Sequence, residues 1–181
     1  MAFGIAVLIG VAYLISEVLG TLVVLAIPAA LVMRHRGKRR AKARLMVEAE
    51  QHRIELRARM ATLGGMLVMT PTEFEEAIGD LLIRWGFTAV ERVGGSGDLA
   101  VDLRCRDPAG RFTVVQCKRY GPGHNIGSGD IQKFVGMIHV HGADRGIFIT
   151  TSGFTEPARE LAKRAGVGLI DGPELAKRAG L

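Results

Sequence analysis

"LAVDLRCRDPAGRFTVVQCKRY", residues 99–120, decides the fold. Two apolar runs flank Asp107-Pro108-Ala109-Gly110, a turn signal, so residues 99–106 and 111–119 read as a β-hairpin. Two loop forms compete. A two-residue Pro108-Ala109 loop puts Asp102 opposite Val115 and sends Gln116 to the other face. A three-residue loop, with Gly110 in the left-handed conformation, puts Asp102 opposite Gln116. The second form gathers Asp102, Gln116 and Lys118 on one face and leaves Val101, Leu103, Cys105, Val115 and Cys117 on the other. Side chains alternate along a strand, so a one-residue slip would mix the two sets. The three-residue form is therefore expected.

The pattern around the hairpin supplies the rest of a domain. Before it, "TPTEFEEAIGDLLIRWGF" opens with Thr70 as N-cap, Pro71 in the first turn and Glu73 at the capping-box position. Phe74, Ile78, Leu81, Leu82 and Trp85 form its buried face, and Glu75 borders that face. A strand pattern covers 87–93. After the hairpin, residues 128–142 read as a helix capped by Ser128, and "RGIFITT" as a strand covered on both faces. A helix starting near Thr155, a strand "VGLID" and a last helix "GPELAKRAG" follow. The order α-β-β-β-α-β-α-β-α predicts an α/β three-layer sandwich, a central mixed sheet flanked by helices.

An acid, an amide and a lysine at one sheet edge suit metal-assisted phosphodiester hydrolysis. A hard cation such as Mg²⁺ takes oxygen ligands and keeps several waters. Asp102 would ligate it directly, Gln116 through its side-chain oxygen, with the Cys117 carbonyl adjacent. Lys118 would orient or deprotonate water, or offset charge on the phosphate. Glu75, brought in from the first helix, would be a second ligand or reach the metal through water. Other candidates carry less. Cys105 and Cys117 sit in apolar runs and read as small core residues; two cysteines make neither a disulfide framework nor a zinc site. His124, His139 and His141 come with no zinc-ligand set. "GPGHNIGSG" lacks the Lys-Ser/Thr of a phosphate loop.

Taken together, "FEEAIGDLLIRWGF", "GGSGDLAVDL", "VVQCKRY", "DIQKFVGM" and "GIFITTSGFTEPARELAKRAGVGLIDGPELA" resemble the Mrr-like restriction endonuclease domain of the PD-(D/E)xK nuclease superfamily. The resemblance covers about residues 70–181 and keeps the order of its blocks. It implies that Asp102, Gln116 and Lys118 form a metal-dependent catalytic centre, with Glu75 as the helix acid. It also implies a supporting or DNA-contacting role for Asp98 in the Gly-Asp turn and for Gln132 on the following helix. Mg²⁺, with Mn²⁺ as substitute, is the implied cofactor, and DNA the implied partner. Ala100 stands where the family often has Gly, which puts the backbone of that turn in question.

The first third is of another kind. From Phe3 to Met33 the one charged residue is Glu17. As a helix these 31 residues would span roughly 46 Å against a hydrocarbon core of about 30 Å, enough for one tilted crossing. A hairpin of two short spans is the alternative. The segment lacks the basic start of a cleaved signal peptide. "RHRGKRR" follows, which by the positive-inside bias puts the remainder in the cytoplasm. Residues 34–62 carry ten Lys/Arg against three Glu, whereas residues 63–181 hold fourteen of each. The basic charge thus belongs to the segment beside the membrane and is no argument that the folded domain binds nucleic acid. The expected domains are an anchor over 1–33, a basic linker helix over 34–65 and the endonuclease domain over 66–181, its boundary marked by Gly64-Gly65.

The expected function is a membrane-tethered, Mg²⁺-dependent DNA endonuclease of restriction type, single-pass and facing the cytoplasm, with membrane lipid and DNA as partners. A homodimer is expected because double-strand cutting usually needs two sites. The alternatives are a non-catalytic DNA-binding or membrane-organising module on the same fold, and a repair or junction nuclease with the same chemistry.

Overall fold

The hairpin turns in its three-residue form. In the computed structural model, which describes residues 33–93 and 101–180, Arg106 pairs with Phe112 and Leu103 with Val115. Gly110 takes φ +80°, and Asp107 N and Gly110 N close the loop on Arg111 O and Asp107 O. Asp107 is the reason this loop holds. Its buried carboxylate accepts from Ala109 N, Arg111 N and Arg111 Nε, at 2.8–3.0 Å. Arg145 at the start of the neighbouring strand lies 3.6 Å from the same carboxylate.

Strands β1 (Thr88–Arg92), β2 (Leu103–Arg106), β3 (Phe112–Lys118), β4 (Arg145–Thr150) and β5 (Gly168–Ile170) form one sheet in the order β1-β2-β3-β4-β5. The first three are antiparallel and β3, β4 and β5 parallel, so the sheet is mixed, as expected. The helical residues 51–60, here α1, then α2 (Leu63–Leu67), α3 (Pro71–Arg84) and α6 (Gly172–Ala179) contribute to one core layer. Phe74, Ile78, Leu82 and Leu175 pack there against Leu103, Val115 and Ile149. Helices α4 (Ser128–Val140) and α5 (Glu156–Ala165) cover the other face, where Ile131, Phe134 and Ala158 meet Val114 and Phe148.

Helix starts follow local chemistry. Thr70 and Glu73 form the full capping box of α3, and Thr155 and Asp171 cap α5 and α6. Helix α4 differs from expectation. Gly127 is its N-cap, with no side-chain cap, and Ser128 is its first residue.

By backbone contacts the chain separates into residues 1–50 and 51–181, and Leu56 and Met60 are buried in the same core as α3 and the sheet. Gly64-Gly65 does not end a linker; both residues lie inside α2. A Cβ on Gly65 would overlap Arg59 O, so glycine here permits a close approach of two backbones. Residues 33–50 are helical and exposed. The expected anchor over 1–33 lies outside the described residues but for Met33, as do Asp98 and Ala100 in the turn before Val101. Among the described residues no helix is long and apolar enough to cross a membrane.

Gly110→Ala should cost about 1 kcal/mol in urea unfolding, because an L side chain is strained at that φ. Burial alone would raise the Asp107 carboxyl, but hydrogen bonds from Arg111 and Ala109 and the Arg111 charge outweigh it, and the group titrates below its usual 3.8. A depressed carboxyl stabilises the fold above its unfolded pKa and loses that contribution as pH falls through the folded one. Asp107→Asn should therefore lower the urea midpoint at pH 7 and flatten the loss of stability below pH ~4; an unchanged acid limb would dissociate Asp107 from it.

Candidate active site

The three-residue turn brings Asp102 to Gln116. Gln116 Nε2 donates to Asp102 Oδ2 at 2.7 Å, and the Cys117 backbone N–H donates to the same oxygen at 2.6 Å. Asp102 lies just before β2, shorter than the expected strand. Its backbone still extends the ladder: Asp102 N donates to Val115 O, and Val93 N to Asp102 O. The carboxylate is thus gripped on its main chain from both neighbouring strands.

Gln116 is 7% exposed. With its amide nitrogen turned to Asp102, its Oε1 is buried and accepts no hydrogen bond among the described residues. A buried acceptor without a donor is costly and calls for an explanation such as an ion. It sits beside a carboxylate that is only part-buried. The strand pleat puts Gln116 and Lys118 on the side of Val114, under α4 and α5, and Cys117 on the side of Val115, toward α3. The face expected to be polar is in fact half apolar and covered. Val101 packs there too, not with Leu103 as the alternation implied, because it precedes the paired part of β2.

Cys117 is a half-buried core residue. Burial raises its thiol well above the usual range, and the charges of Asp102 and Glu75 push the same way. Both carboxylates thus act on one sulfur, and α3, which carries Glu75, packs on β3. Glu75 is half-buried, and its Oε2 receives Arg92 Nη1 from β1 at 3.2 Å.

Lys118 turns to α4. Its Nζ lies 3.0 Å from Asp130 Oδ1, donates to Tyr120 OH at 3.2 Å and lies 5.4 Å from the Tyr120 ring centre. Burial alone would lower its pKa, but Asp130 and Tyr120 reverse this, and Lys118 titrates above 10.5. It is an ammonium at neutral pH. Gln132 lies on the exposed side of α4, and no described hydrogen bond joins it to Asp102, Gln116 or Lys118. His141, at the C-cap of α4, accepts from Arg104 at 2.9 Å and belongs to packing, not to this site.

Three residues beside the site were not singled out from sequence. Tyr120 is two residues beyond Lys118, and Asp130 stands in the first turn of α4; each position carries a local signal. Arg92 becomes visible only once β1 is paired with β2, which sets it opposite Leu103.

The profile of the restriction endonuclease family Mrr_cat matches residues 66–179. The chain is similar to the type IV methyl-directed restriction enzyme EcoKMrr of Escherichia coli (strain K12), 38% identical over 130 residues, which cover 67% of this chain and 42% of that protein. The chain thus spans about two fifths of that relative's length. Among solved structures it is similar in fold to the DNA modification-dependent restriction endonuclease AspBHI, with a TM-score of 0.51 and 18% identity over 71% of this chain and 35% of that one.

Asp102→Ala should cost about 1–2 kcal/mol in urea unfolding, since it strands Gln116 Nε2 and Cys117 N–H. Asp102→Asn retains an acceptor and should cost clearly less; equal losses would show that the two hydrogen bonds do not set the effect.

Proposed function

The chain belongs to the Mrr_cat restriction endonuclease family, and from that premise we propose that it is a divalent-cation-dependent DNA endonuclease, restriction-type in chemistry, with Asp102, Gln116, Lys118 and Glu75 as its working residues. The observation that carries the reading is the buried Gln116 Oε1, which has no donor among the described residues, on an amide whose nitrogen meets the Asp102 carboxylate.

The oxygen donors present fit a hard cation. Asp102, Gln116 Oε1 and Glu75 would hold Mg²⁺ or Mn²⁺, which when bound supplies Lewis-acid polarisation of the phosphate and acidifies water. The chain's residues do the rest. Gln116 Nε2 and Cys117 N–H fix one Asp102 oxygen, so the carboxylate keeps one orientation with little freedom to lose. Lys118 works as a cation. An amine raised above its ordinary value stays protonated at neutral pH, so Lys118 would orient water or offset charge on the phosphate, not take a proton. To reach phosphate it must leave Asp130 or share its donors with it.

The engagement of Lys118 by Asp130 and Tyr120 also favours a second reading, a DNA-binding module without catalysis. For the chain as a whole we propose attachment to the cell membrane through residues 1–33, in one span or a hairpin, with the nuclease domain in the cytoplasm and anionic lipid beside the basic residues 34–44. Two copies would serve the two strands of a duplex.

Full-length protein incubated with methylated, unmethylated and branched DNA, with and without Mg²⁺ or Mn²⁺, tests this. Cation-dependent cleavage is expected, reduced at least ~100-fold in Asp102→Asn and by a similar factor in Lys118→Ala. Binding of DNA by both variants and by wild type, with no cleavage of any substrate, would install the non-catalytic reading instead. Preference among the three DNAs separates a modification-directed role from a junction or repair role.

A further inference from the structure

Glu75 has a counter-ion of its own. Arg92 is the last residue of β1, opposite Leu103, and the next residue, Val93, donates to the Asp102 carbonyl. The guanidinium therefore stands on the strand beside the one that carries Asp102, and it reaches Glu75 Oε2 at 3.2 Å. Glu75 is 18% exposed, so its charge is partly withdrawn from water and gains from a partner. Both the guanidinium and a divalent cation would use this carboxylate, and each needs its oxygen lone pairs.

We propose that Arg92 and the divalent cation compete for Glu75, so that Arg92 is a positioning residue that holds the helix acid while the cation is absent and releases it on loading. This rests on the reading of Asp102, Gln116 and Glu75 as cation ligands. A second berth for the released side chain is at hand. Arg92 lines a cavity of about 260 Å³ together with Glu76 and Asp80, both on α3. Those carboxylates already meet His52, Arg53 and Arg57 at 3.2–3.7 Å, so Arg92 would join an existing cluster of ion pairs instead of pointing to open water. The exchange leaves Glu75 with one positive partner in either state.

The test is Mn²⁺ titration of the full-length protein without DNA, read by calorimetry and by the electron paramagnetic resonance of free Mn²⁺. Arg92→Ala should bind Mn²⁺ about twofold to fivefold more tightly than wild type, the scale of one partly exposed ion pair. Arg92→Lys, which keeps charge without the planar fork, should fall between them. Glu75→Gln combined with Arg92→Ala should erase the gain. Arg92→Gln serves the same comparison should the alanine variant misfold by circular dichroism. If wild type binds Mn²⁺ through Asp102, as Asp102→Asn reports, and the Arg92 variants bind equally or more weakly, competition is wrong and the nuclease reading stands. If neither wild type nor Arg92→Ala shows Asp102-dependent binding, both fall.

Discussion

The Asp107 carboxylate is the interaction on which the site depends, although it takes no part in the site. It holds Ala109 N and Arg111 N across the turn and pairs with the Arg111 side chain, which leaves Gly110 the one left-handed residue of the loop. That geometry fixes an odd number of loop residues, and parity fixes everything downstream. With three residues in the loop, Asp102 meets Gln116. With two, Gln116 would enter the core under α3 and Val115 would face the acid. A side chain eleven residues before Lys118 therefore decides whether the residues proposed as catalytic share a face. Arg145 at 3.6 Å extends the same clamp to β4, so turn and parallel half of the sheet are tied at one buried charge.

Most of this was legible in the sequence because its causes are local. The capping box at Thr70, the DPAG turn, the alternation in "VVQCK" and the apolar run of β4 are each set within a few residues. The three-layer sandwich follows from their order. The misreadings have causes at longer range. Gly64-Gly65 resembled a break because glycine usually disfavours helix; here Gly65 lets α2 pass close to the Arg59 backbone, a contact no local pattern reports. For the same reason α1 read as a basic linker. Leu56 and Met60 are two apolar residues among charges, and their burial depends on the face offered by α3 and α2.

The sequence names candidate residues for the site but not their pairings. Asp102 and Gln116 could be joined by counting, since one turn separates them. Lys118 and Asp130 could not, because their meeting depends on how α4 docks on the sheet. Nor could Glu75 and Arg92, which depend on α3 crossing β1. Sequence-level counting assigns residues to a face; it leaves open which charge will satisfy which. That gap matters, because the partners decide protonation. Lysine beside a carboxylate and a phenol stays charged, and this narrows its chemistry to electrostatics.

The pairings also share a logic. The site concentrates negative charge at Asp102 and Glu75, around a thiol whose ionisation they oppose. Such a site is stable only if positive charge is supplied. Arg92 supplies some to Glu75, while Lys118 is committed to Asp130, outside the carboxylate pair. Asp102 accepts from the Gln116 amide and the Cys117 N–H, and these two dipoles orient one of its oxygens. Glu75 thus meets a guanidinium, and one Asp102 oxygen meets two dipoles. Gln116 is divided in its contacts: its nitrogen orients the Asp102 carboxylate, and its oxygen is buried with no donor among the described residues.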